Sequence, residues 1–212
     1  MFDYSNSDVY THTIEGRMYL RAPRFTIPAM ARALANTARF GGNTYWRYSV
    51  AQHCVLVSEI MEYMAIGHPL EGLLHDGVEH VLSDIPSPYK HMPELQGYKD
   101  VERWLDQNLR YQFELQLQPS KEMKFADSVA LFVEAWYLIP ERGQELTFAP
   151  GHDTAKQYAG GLISMGWRPY YMHERTAERM FIERYEELKD YDTENRPPLT
   201  FEVPGLSEEE AA

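Results

Sequence analysis

Along most of this chain apolar residues recur every three or four positions, and almost nowhere do they alternate. That period belongs to amphipathic helices rather than half-buried strands. It predicts a helix from about Pro28, with proline in the first turn and Met30, Leu34 and Thr37 or Ala38 facing inward. The run Phe40-Gly41-Gly42-Asn43 stops it. Ser49 then caps a second helix that carries His53, Val57, Ile60 and Met64 on one face. A third spans about 69–83 and ends in the turn "SDIPSPYK". A fourth, about 98–118, repeats Val101, Trp104, Leu105, Leu109 and Phe113 in period, and a fifth covers 120–138. Residues 139–161 read as loop-rich, and 173–191 as a last amphipathic helix. The first fifteen residues show no period and read as an arm or loop. The fold class expected is all-α, a helical bundle forming one domain over 1–195, followed by an acidic, irregular tail over 196–212.

Several of these apolar stretches carry charge where a core helix should not. "EGLLHDGVEHVLSDIPSP" sets His75, Asp76, Glu79, His80 and Asp84 among Leu73, Leu74, Val78, Val81 and Leu82. Asp127 lies between Phe125 and Val129, and His53 lies on the inward face of its helix. A buried, unpaired carboxylate costs several kcal/mol, so Asp127 calls for a metal or a cationic partner. His53, His75, Asp76 and Asp127 could together hold one divalent metal with positions left for water or substrate. Glu79 follows His75 by four residues and Asp76 by three, which places it on their helix face. Asp84 falls where that helix ends and could reach the same cleft. Arg39, read as ending the first helix, and Lys90, after the Pro-rich turn, are the cations a phosphate would need.

The His-Asp pair alone is no signal, because "PGHDTA" repeats it as His152–Asp153 in a loop setting. That copy reads as a surface turn or helix cap. His80 sits one position off the Glu79 face and reads as structural or surface. Cys54, the single cysteine, sits among Val55, Leu56 and Val57 and reads as a small core residue.

The net charge of −12 argues against a protein that grips a nucleic-acid polymer, which needs clustered Lys and Arg. No run of eighteen apolar residues and no secretory signal pattern is present, so neither a membrane span nor export is expected. A reducing, cytoplasmic setting is expected from one unpaired cysteine.

The order His53, His75–Asp76, Asp127 resembles the HD-domain metal-dependent phosphohydrolases, and within them the 5′-deoxynucleotidases and phage dATP triphosphohydrolases. The likeness extends to "RFGGNTYWRYSVAQHCVLVS", "LLHDGVEHVLSDIPSPYK", "YKDVE" and "FADSVAL", and covers about residues 28–138. It implies an HD-domain helical bundle and one divalent metal ion (Mn, Co, Zn or Mg) on His53, His75, Asp76 and Asp127. It further implies that Glu79 serves the attacking water, that Asp84 works near the scissile ester or sugar, and that Arg39 and Lys90 bind phosphate.

The reaction expected is hydrolysis of a deoxynucleotide phosphate ester or anhydride. The leading version removes phosphates from a deoxynucleoside triphosphate such as dATP. The alternative is a 5′-nucleotidase acting on deoxynucleoside monophosphates. Outside the enzymes stand a non-catalytic metal- and nucleotide-binding module and a plain helical scaffold. The partner expected is a small deoxynucleotide, in host cytoplasm if the chain is phage-encoded. A homo-oligomer is expected from family likeness, with apolar surface offered by the Trp104–Phe113 helix and the Tyr-rich segment 168–191.

Overall fold

The computed structural model describes residues 4, 7–90, 92–140 and 152–191. Among them the chain is mostly helical, with one small two-stranded sheet. Strands β1 (Tyr10–Thr13) and β2 (Gly16–Tyr19) pair antiparallel, Thr11 opposite Met18. Helices α1 (Ile27–Asn36) and α2 (Val50–Tyr63) follow, then the short α3 (Pro69–Leu74), α4 (Glu79–Leu82) and α5 (Ser87–Lys90). The long helices α6 (Gln96–Gln112) and α7 (Lys121–Leu138) precede α8 (His152–Ser164) and α9 (Glu174–Leu188). No helix among the described residues is long and apolar enough to cross a membrane.

Local chemistry explains most boundaries. Ser49 and Gln52 form a reciprocal capping box at the start of α2, satisfying two amides that a helix end leaves without partners. Ser120 caps α7 by accepting from the Met123 amide, and its own hydroxyl and amide donate to Glu71 of α3. Thr26 and His173 cap α1 and α9 in the same way.

Two apolar clusters fill the interior. One joins Met30 and Leu34 of α1, Leu73 and Leu74 of α3, Leu105 and Leu109 of α6, and Phe181 of α9. The other joins Ile60 and Met61 of α2, Val129 and Val133 of α7, and Ala155, Ala159 and Leu162 of α8. Helix α2 contributes to both, so residues all round its surface are buried. It is the axis of the molecule. Gly72 lets α3 lie close against it. A Cβ there would meet Met61 Sδ at 2.7 Å and Ser58 Cα at 3.1 Å.

The structure departs from the sequence reading at several places. The first segment is a hairpin, not a structureless arm. Its strands are only four residues each and bury little beyond Met18, so no alternation stands out. Helix α1 ends at Asn36, before the glycines, and Arg39 does not close it. Arg39 opens a separate 3-10 turn, Arg39–Gly42, in which Phe40 and Gly41 take positive φ. The helix expected over 69–83 is broken at His75–Val78, where Gly77 and Glu79 donate to carbonyls only three residues back. Gly77 permits the break to pack on α6, since a Cβ would lie 2.6 Å from Leu109 Cδ1.

Part of the segment read as loop-rich is α8, whose buried Ala155, Tyr158, Ala159 and Leu162 override the paired glycines Gly160 and Gly161. The apolar face proposed for self-association is largely consumed within the chain. Trp104 Nε1 donates to the Leu20 carbonyl at 3.1 Å, and Phe113 meets Tyr185 edge-on. Tyr170 and Tyr171 do stand exposed. The tail expected over 196–212 lies outside the described residues.

Candidate metal centre and cleft

Helix α7 brings Asp127 and Glu134, seven positions apart, to the same side of α2. Two helical turns separate them, about 10 Å along the axis, and the His53 ring fills the interval. Its Nε2 lies 3.1 Å from Asp127 Oδ1, and its Nδ1 lies 2.7 Å from Glu134 Oε1. His53 and Glu134 are both fully buried.

His75 and Asp76 come from the broken end of α3. His75 retains helical dihedrals as the C-cap, and its Nδ1 donates to the Gly72 carbonyl at 2.8 Å. That bond leaves Nε2 facing the His53 Nε2, 3.3 Å away. Asp76 Oδ2 lies 3.3 Å from His75 Nε2 and 3.6 Å from His53 Nε2. The close packing of α3 on α2 at Gly72 therefore sets the separation of the two histidines.

Three of these side chains, His53, His75 and Asp127, could hold one divalent cation, and Asp76 lies against both histidines. The ligand atoms of His53, His75 and Asp127 lie within 4.8 Å of one another, with Asp76 beside them. Each imidazole uses its far nitrogen on an oxygen acceptor, the usual arrangement when the near nitrogen is to ligate. Two nitrogens and two carboxylates suit Mn, Co or Zn, and leave coordination positions for other ligands. Asp127 is not the buried carboxylate the sequence suggested: its side chain is 43% exposed, on the open side of the cluster.

Protonation reflects the crowding. Burial and the Arg39 charge pull the His53 pKa down, but Glu134 and Asp127 outweigh them and hold it up at about 10. Burial also opposes His75, yet Asp76 and Asp127 raise it above its ordinary value. For Asp76 burial works upward, while His75, His53 and Arg39 hold the carboxylate below its usual range. A divalent cation would take over the role these protons play.

Beside the cluster lies a cleft of about 510 Å³, lined in part by His75, Asp76, Glu79, Lys90 and Lys124. Glu79 opens α4 after the chain break, so it does not share a continuous helix face with His75. The turn delivers it to the cleft all the same. Its Oε1 accepts from Lys90 Nζ at 3.1 Å, and its Oε2 is buried without a partner among the described residues. Burial, reinforced by Asp76 and Asp84, pushes the Glu79 pKa up to about 9. Burial lowers Lys90, but Glu79 and Glu102 raise it more. Both shifts report one excess of negative potential, which raises the pKa of acids and bases alike. Asp84 is partly buried and feels the same field, its pKa raised by burial and by Asp76 against Arg39 and Lys90.

Arg39 reaches in from the 3-10 turn. One terminal nitrogen donates to Glu134 at 3.0 Å, the other lies 3.7 Å from Asp76, and the buried Nε has no partner among the described residues. All eight residues singled out in the sequence thus lie in or around one site.

Glu134 was missed by the sequence reading. Its one signal was a carboxylate in the apolar run "ALFVEAW", two turns after Asp127. Cys54 is buried as expected, but its Sγ falls among the ligand atoms of His75 and Asp76. Burial and the Asp76 and Glu79 charges push its thiol pKa well up, so it lines the site as a neutral group. His80 is structural: Nδ1 donates to the Gly77 carbonyl and the ring packs edge-on against Phe25. His152–Asp153 begins α8, with Asp153 exposed in the first turn.

No family model matches the chain. It is similar to the uncharacterized protein YfdR of Escherichia coli K12, 36% identical over 105 residues, which are 50% of this chain and 56% of YfdR. It is also similar to an uncharacterized protein of Rhodobacter capsulatus, 35% identical over 119 residues, covering 51% of this chain and 60% of that protein. The chain therefore spans a little over half the length of the curated relatives it matches.

Proposed function

We propose that this chain is a divalent-metal-dependent phosphohydrolase of the HD-domain type that removes phosphates from a deoxynucleoside triphosphate, dATP being the first substrate to test. The observation that carries the reading is the convergence of His53, His75 and Asp127, with Asp76 against both histidines and both imidazoles held by their far nitrogens. A cation held there would supply Lewis acidity toward a phosphoryl oxygen and acidify a water molecule.

The remaining steps belong to the protein. The negative field that pushes Glu79 up would be countered by a cation held beside Asp76. Glu79, one of whose oxygens has no partner among the described residues, would then be the carboxylate that receives a proton from the attacking water. Arg39 and Lys90 stand on two sides of the carboxylates and counter charge on the non-bridging oxygens. Asp84 adjoins the leaving ester or sugar. The acidic surface opposes a polynucleotide but not a single nucleotide, because the cations are gathered at the cleft. In this reading the protein works as a homo-oligomer in the cytoplasm.

A matrix of Mn, Co, Zn and Mg against deoxynucleoside tri-, di- and monophosphates, with the released product identified, tests it. Metal-dependent release of phosphate, pyrophosphate or triphosphate from a triphosphate is the expected result. Release only from monophosphates would replace the triphosphatase with a 5′-nucleotidase. Tight nucleotide binding without turnover under every metal would make the chain a binding module.

A further inference from the structure

We infer that Glu134 is a positioning residue that orients both the metal ligand His53 and the phosphate-facing Arg39, so that one buried carboxylate couples cation binding to anion binding. The inference rests on the metal-dependent reading above.

Glu134 is completely buried on α7. Its Oε1 accepts from His53 Nδ1 at 2.7 Å, and its Oε2 accepts from Arg39 at 3.0 Å. The buried Tyr48 hydroxyl feels the same carboxylate, burial and then the Glu134 charge holding its pKa well above the ordinary value. The two bonded partners come from α2 and from the 3-10 turn, so Glu134 ties two separate stretches to one point on α7.

With a proton fixed on Nδ1, the His53 lone pair must lie on Nε2. That nitrogen faces His75, Asp76 and Asp127. With one terminal nitrogen of Arg39 fixed on Glu134, the other turns toward Asp76 and the cluster. Neither partner is positioned by an apolar contact alone. A purely structural reading explains this poorly, because a buried ionic group is often no more stabilising than a well-packed apolar one. Outer-shell carboxylates on ligating histidines, by contrast, commonly control metal affinity about 10–100-fold.

Glu134→Gln preserves shape but offers an acceptor to only one of the two partners and an amide N–H to the other. The probe is Mn²⁺ alone, titrated into the full-length protein and read from the electron paramagnetic resonance of the free ion. The expected result is a Mn²⁺ Kd raised about 10–100-fold, with a circular dichroism spectrum like that of the parent. The KM for nucleotide should rise together with it, through Arg39. An unchanged Mn²⁺ Kd in the folded variant would overturn the inference and leave the metal site intact. If the parent protein itself takes up no Mn²⁺, the metal reading falls first.

A second measurement needs no variant. In the zinc-loaded parent, His53 should carry zinc on Nε2 and show a downfield, exchange-protected Nδ1 proton by nitrogen-15 correlation. Ligation through Nδ1, or a freely exchanging Nδ1 proton, overturns the assignment even if the variant fails to fold.

Discussion

Lys90 Nζ sits 3.1 Å from Oε1 of Glu79, and the other oxygen of that carboxylate is buried without a donor among the described residues. A side chain anchored by one oxygen and free on the other is arranged to exchange a proton at a fixed place. Replacing Glu79 with Gln keeps the anchor geometry and removes the basic oxygen. Turnover should fall by roughly 10²–10⁴-fold, the usual worth of a general base. Bound metal, measured by atomic absorption, should stay at the parent level. Undiminished turnover would remove Glu79 from the chemistry.

Asp127 offers a cleaner separation of site from scaffold. Its side chain is 43% exposed but pairs with the buried His53 at 3.1 Å, so Asp127→Ala should lower the melting temperature of metal-free protein by a few degrees while leaving it folded. Chelator competition should show metal affinity reduced by more than the roughly 10–100-fold typical of an outer-shell partner. Normal metal retention would contradict its role as a ligand.

The pH dependence of stability has a definite sign. His53 is held at about 10 in the folded chain against an ordinary 6.5, so its stabilising protonation is complete below about pH 6.5 and is lost as pH rises toward 10. Glu79, at about 9 against 4.5, loses its contribution over the range above 4.5. Both slopes run the same way. Protein stripped with EDTA should therefore melt at progressively lower temperature from pH 7 to pH 10. Added Mn²⁺ should oppose that fall, because the metal competes with protons for the same ligands and binds better as they deprotonate. A melting temperature that climbs over this interval in EDTA would refute the assignment.

Gly72 is predicted to be a structural determinant of the site. Gly72→Ala presses a methyl against Met61 Sδ and the Ser58 backbone, and overpacking of this kind costs about 1–3 kcal/mol. At this size each kcal/mol lowers the melting temperature by about 2–4 °C. Metal affinity should fall as well, since the displaced carbonyl holds His75. Gly160, inside α8 with open space around it, serves as the contrast: Gly160→Ala should stabilise by about 0.5–1 kcal/mol without touching affinity. Equal effects at both positions would show that close approach at Gly72 does not matter.

The sequence made the helical class legible because α2, α6, α7 and α9 repeat their apolar positions over many turns. It made the candidate cluster legible because His53, His75 and Asp76 interrupt apolar runs, where charge is costly and therefore visible. What it concealed depends on contacts distant along the chain. The break after Leu74 packs Gly77 on Leu109, thirty-two residues away, and that lone glycine is its only mark in the local sequence. The hairpin is too short for its period to be read, and Glu134 declares its role only beside His53, eighty-one positions earlier. Arg39 looked like the end of a helix because its neighbours are glycines. The helix stops three residues sooner, and those glycines shape the turn that aims the guanidinium.

Because α2 supplies side chains to both apolar clusters, the two halves of the molecule have no plane along which they can part without exposing it. A cation bound at His53 is attached to that common spar. The stabilisation it confers should then appear as one sharp, undivided thermal transition displaced upward, and calorimetry of metal-loaded protein should resolve no separate melting of the α8 side.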